Sequence, residues 1–200
     1  MKTDVIAVSG RSEMAEVLNQ VDKVAAYKDL TKKGALHLRL LTEEMMGLVR
    51  SITGETNGQF WIEDEDGVYS LHLTVKTSMD SGKRSQLLAA SSSGKNESAR
   101  GLMGRLRDLF DQSEDDDVIS FSNPLLVHGV YEHTTGAEFD WEWSMLRYED
   151  ELNSRVRQND SAAKEAWDEL EKSVVARVAD DVKVSIKGRT VEMTIIKKLA

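Results

Sequence analysis

Apolar positions along the chain switch between a helical period and strict alternation, and each switch marks an element. Asp4 to Ser9 reads as a short strand that Gly10 ends. Met14, Val17, Leu18, Val21, Val24 and Ala25 then fall at helical spacing, with Ser12 placed to cap the helix. A second helix is predicted from about Lys33 to Ile52, with Leu38, Leu41, Met45, Leu48, Val49 and Ile52 on one face and Thr53-Gly54 closing it. Gln59 to Glu63 and Val68 to Lys76 are aromatic and β-branched. The stretch Asp64 to Gly67 between them ends in Asp-Gly, so a hairpin is predicted.

Residues 78 to 98 are rich in serine and glycine and read as a loop interrupted by a short helix from Lys83 to Ala90. A helix from Ala99 to about Gln112 follows, then the acidic run Glu114 to Asp117. Phe139, Trp141 and Trp143 alternate with acidic residues as in a strand, and residues 144 to 158 are helical in pattern. Ser161 is placed to cap a helix through Ala176, with Ala166, Trp167, Leu170, Val174 and Val175 inward. Asp181 to Lys187 and Thr190 to Lys197 form a closing hairpin around Gly188-Arg189. No repeat is visible in the residues themselves. This order predicts an α+β fold, a two-layer sandwich with helices on one face of a largely antiparallel mixed sheet. The expectation is a single domain over residues 1–200, with an insertion at about 112–160.

Composition narrows the chemistry. A net charge of −9, from 26 Lys+Arg against 35 Asp+Glu, disfavours general binding to nucleic acid or an anionic membrane surface. The absence of cysteine excludes disulfides, thiolate metal sites and cysteine nucleophiles. The opening MKTDVIAVSG is too short and polar for a secretion signal, and no apolar run could span a bilayer, so the expected compartment is the cytoplasm.

Three stretches, together with the order of elements, resemble the GHKL family of Bergerat-fold ATPases. Histidine-kinase ATPase domains and anti-sigma-factor serine kinases are the nearest of its members. LRLLTEEMMGLVRSI (Leu38 to Ile52) is similar to the helix that carries a catalytic glutamate and, four residues on, a magnesium-binding asparagine. LHLTVKTSMDSG (Leu71 to Gly82) resembles the strand leading into the adenine loop. GKNESARGLMGRLRDLF (Gly94 to Phe110) resembles the lid and the glycine-rich start of the phosphate helix. The closing hairpin is similar to the last two strands of the family.

The resemblance implies an ATP-binding regulatory protein with Glu44 as the general base and Asp80 and Gly82 beneath the adenine. Gly94, Lys95, Asn96, Arg100, Gly101 and Gly104 would surround the phosphates, since glycines let the backbone approach and helix N-terminal amides attract anions. Helix geometry sets Glu44 at the rim of the apolar stripe and Glu43 nearly opposite it. Leu48 then stands where magnesium would be ligated and cannot ligate it, so magnesium binding is expected to be weak or absent and catalysis doubtful. Arg84 stands where the family has a second glycine, and Lys76-Thr77 compete with Asp80 as the equivalents of the adenine aspartate.

Each assignment has a plainer reading: Glu44 as a rim carboxylate, Asp80 and Gly82 as a polar turn, Gly94 to Gly104 as a loop and an amphipathic helix. His128 and His133 match no zinc spacing. The resemblance also implies a protein partner and leaves room for a homodimer. The competing class is an interaction module that keeps the fold and binds no nucleotide.

Overall fold

The computed structural model describes residues 1–9, 12–53, 58–76, 140–187 and 190–199. The described chain runs β1 (Ile6–Val8), α1 (Ser12–Tyr27), α2 (Lys32–Thr53), β2 (Gly58–Glu65), β3 (Val68–Lys76), β4 (Asp140–Ser144), α3 (Met145–Arg157), α4 (Ser161–Lys172), α5 (Val174–Val178), β5 (Asp181–Lys187) and β6 (Thr190–Lys198). The six strands form one sheet in the order β1-β2-β3-β6-β5-β4, and every described pairing is antiparallel. The expected helices at 83–90 and 99–112 lie outside the described residues.

Alternation along the strands decides which face is covered. Phe60, Ile62, Leu71, Leu73, Val182, Val184, Val191, Met193 and Ile195 are buried in one cluster with Val17, Val21, Leu38, Leu41, Met45, Leu152 and Leu170 of the helices. The residues between them on the strands, among them Trp61, Ser70, His72, Thr74, Glu192 and Thr194, are only half-buried. The helices therefore lie on one face of the sheet, which makes the architecture an α+β sandwich.

The β2–β3 hairpin is tighter than the sequence suggests. β2 continues to Glu65, which pairs with Val68, so only Asp66 and Gly67 form the turn. Their φ values of 51° and 83° are both positive, as a type I′ hairpin turn demands. Asp64, expected in the turn, is instead a strand residue facing the helices, at 4% exposure. Helix starts also differ in detail. Thr31 caps α2 by accepting the Gly34 N–H at 3.1 Å. Asp160, not Ser161, caps α4, accepting the Ala163 N–H at 3.3 Å. The expected helix over 161–176 breaks at Ser173, whose hydroxyl accepts the Ala176 N–H and starts α5.

Trp167, expected inward, is a further correction. It packs against the core but is only partly buried, and its Nε1 donates to Glu171 at 3.0 Å. An indole N–H needs a partner, and one turn along an exposed helix face supplies it. Trp143 is buried, its ring centroid 5.9 Å from that of Tyr148.

Among the described elements the order β-α-α-β-β occurs twice, as β1-α1-α2-β2-β3 and, with its second helix broken into α4 and α5, as β4-α3-α4-α5-β5-β6. Each unit supplies half of the sheet, and the units meet at β3 and β6. Both helix pairs turn through an Asx residue at positive φ, Asp29 at 49° and Asn159 at 62°. Glu65↔Val68 and Lys187↔Thr190 close the two hairpins in the same register. Residues 140–160, expected within an insertion, thus carry the edge strand and first helix of the second unit.

Phe60 is fully buried at the centre of this core. Phe60→Ala is expected to cost about 3–5 kcal/mol in denaturant unfolding, and Trp167→Ala less than about 2 kcal/mol, since partial exposure leaves less surface to lose. Equal losses at the two positions would contradict the placement of α4.

Candidate functional site

The phase of α2 sets its two adjacent glutamates in different surroundings. Leu38, Leu41, Thr42, Met45 and Met46 are buried, and the Thr42 hydroxyl is satisfied by the Leu38 carbonyl at 2.8 Å. Glu43 faces outward, 3.3 Å from Arg39 Nε, and Arg39 also reaches Asp22 on α1 at 2.8 Å. Glu43 thus belongs to a surface ion network that ties α1 to α2. Glu44 is half-buried beside Met45 and makes no hydrogen bond or ion pair with any described residue. His37 is two helical turns before Glu44 and so on the same flank. Burial first, then Lys197 and Lys33, holds its imidazolium below the ordinary range.

α2 crosses the seam between the two units, touching β3, β6 and α5. Its C-terminal end precedes Gly58, which pairs with Val75 near the end of β3. Lys76, which ends β3, is therefore at the same end of the sheet as the C-terminus of α2. Asp80, Gly82, Gly94, Lys95, Asn96, Arg100, Gly101 and Gly104 all lie outside the described residues. Among the described residues no three His, Asp or Glu side chains converge as a metal site.

Two polar centres escaped the sequence reading. One is at the tip of the β2–β3 hairpin. Asp64, facing the helices, pairs with Lys28 from the α1–α2 turn and accepts the Gly67 N–H at 3.2 Å. They line a cleft of about 470 Å³ with Met1, Glu65, Asp66 and Tyr69. The hydrogen bond from Lys28, joined by that from Gly67, holds the Asp64 carboxyl below the usual range despite burial.

The other centre is on the face that no described helix covers. Trp61 and His72 are cross-strand partners and stack at 4.8 Å with 5° between their planes. Glu63 accepts from Trp61 Nε1 at 3.1 Å and pairs with Lys2 at 2.9 Å. The signal for this pair was present in the sequence, since a two-residue Asp-Gly turn sets Trp61 opposite His72. Reading the turn as four residues hid it.

No protein-family model matches the chain, and neither a curated protein nor a solved structure matches it.

Because the folded-state pKa of Asp64 is depressed, its stabilisation is present above the unfolded value of about 3.9 and is lost as pH falls through the folded one. Asp64→Asn is expected to cost about 2 kcal/mol at neutral pH. The gap to the parent should close as stability is followed down towards about pH 2. A gap that is constant with pH would mean that the charge of Asp64 contributes nothing.

Proposed function

We propose that the chain is a cytoplasmic regulatory protein of the GHKL type that binds ATP weakly and turns it over slowly or not at all. One observation carries this reading. α2 turns Glu44 to a half-buried flank while Glu43 is occupied by Arg39. An unengaged carboxylate is what general-base chemistry requires, and the family resemblance would put the phosphate-binding stretch Gly94–Gly104 next to it. Lys95 and Arg100 supply the cations for the triphosphate in an otherwise acidic chain. Leu48 offers no oxygen to magnesium, which removes the main electrostatic aid to phosphoryl transfer. The regulatory target is a protein partner.

A second reading, a module that binds a protein partner and no nucleotide, is favoured by the sheet face bearing Trp61 and His72, which no described element covers. Large rings on an open polar face are the common anchors of protein interfaces.

Calorimetric titration with ATP, with and without magnesium, separates the two. The expected result is weak binding that changes little with magnesium, retained in Glu44→Gln. Replacing both Lys95 and Arg100 by alanine should weaken it at least about tenfold. Absence of heat at millimolar ATP would transfer the assignment to the interaction module. Rapid magnesium-dependent hydrolysis would overturn the inference drawn from Leu48.

A further inference from the structure

The stacked pair on the open face has an incomplete hydrogen-bond pattern. His72 Nδ1 shares a hydrogen bond with Thr194 Oγ1 at 3.1 Å, across the middle of the β3–β6 ladder. Nε2 is buried and bonds to nothing among the described residues. It stops 3.6 Å from Glu63 Oε2. Glu192 Oε1 is 4.0 Å from Nδ1. The Glu63 carboxylate also holds Lys2, whose ammonium is 5.1 Å from the centroid of the Trp61 ring that His72 stacks on. His72 and Lys2 therefore share one carboxylate and one indole. Lys2 belongs to a segment tied to β2 by backbone bonds, Thr3 N–H to the Ile62 carbonyl at 2.9 Å and Asp64 N–H to the Met1 carbonyl at 2.8 Å.

We propose that His72 is a proton-operated latch on residues 1–5: the neutral ring lets Lys2 dock on Trp61 and Glu63, and the imidazolium loosens it. Coupling between two cations is reciprocal, so docked Lys2 opposes protonation of His72 by the free energy with which protonation opposes docking. The charged groups facing the ring are Glu63 from β2 and Glu192 from β6, which favour its charge, and Lys2, which opposes it. Burial is the largest influence and keeps the ring neutral at neutral pH. Glu63 is held below its ordinary value, first by its hydrogen bond from Lys2, so the docked lysine also favours the carboxylate it shares with His72.

Amide exchange of the full chain at about pH 7.5 and about pH 5 tests this, with rates corrected for intrinsic pH dependence and the Leu71 amide as reference. The Thr3 and Asp64 amides should lose about two- to fivefold protection at the lower pH, the range for an exposed pair. His72→Phe keeps a ring on Trp61 and should abolish the change. Lys2→Gln, which leaves the core untouched, should raise the midpoint of His72 read from its ring proton shifts. Protection independent of pH in the parent, the same loss in His72→Phe, or a midpoint unmoved by Lys2→Gln would each overturn the proposal.

Discussion

Everything in this fold depends on the antiparallel pairing of β3 with β6. It runs from Val68↔Lys198 to Lys76↔Thr190 and joins two hairpins far apart in the chain. Closing so long a loop costs on the order of 4 kcal/mol beyond a fixed term. Leu71, Leu73, Met193 and Ile195 face the helices along this seam and are essentially fully buried. Each contributes about 1.5–3 kcal/mol on burial, so the row outweighs the closure cost. α2 lies over the seam and supplies the opposing surface with Leu38, Leu41 and Met45. Without it, the two β-α-α-β-β units would each present a half-covered sheet.

Each unit also carries a buried carboxylate that orders its outer part. In the first, Asp64 ties the hairpin tip to the α1–α2 turn through Lys28. In the second, Asp181 accepts the Leu146 N–H at 3.2 Å and the Ser144 hydroxyl at 3.2 Å, capping α3 from a neighbouring strand. Ser144 occupies the cap position but does not cap with its own side chain. Both carboxylates are nearly inaccessible and fully engaged, so they belong to the framework. Glu44 differs from both in being half-buried and without a partner among the described residues.

The open face is separate from that rim, because strand alternation sends Trp61 and His72 away from α2. Glu44 and His72 therefore lie on opposite sides of one sheet. β3 belongs to both, with Leu71 and Leu73 under the helices and His72 between them facing outward.

What the sequence determined by itself was local. Helical spacing of apolar residues placed α1, α2, α3 and the start of α4 to within a residue or two, and alternation placed both hairpins, because these periods follow from backbone geometry alone. The rim position of Glu44 was legible for the same reason, since it depends only on the phase of one helix. The tertiary structure decided what depends on meeting at a distance. Asp64 passed from turn to buried strand because Lys28 was there to neutralise it. Trp167 remained half outside because the core beneath α4 was already filled by Ala163, Ala166 and Leu170. The doubling of β-α-α-β-β left no trace in the residues, because many apolar sets can fill equivalent positions in a packed layer. The strand order followed from long-range burial, which no local period encodes.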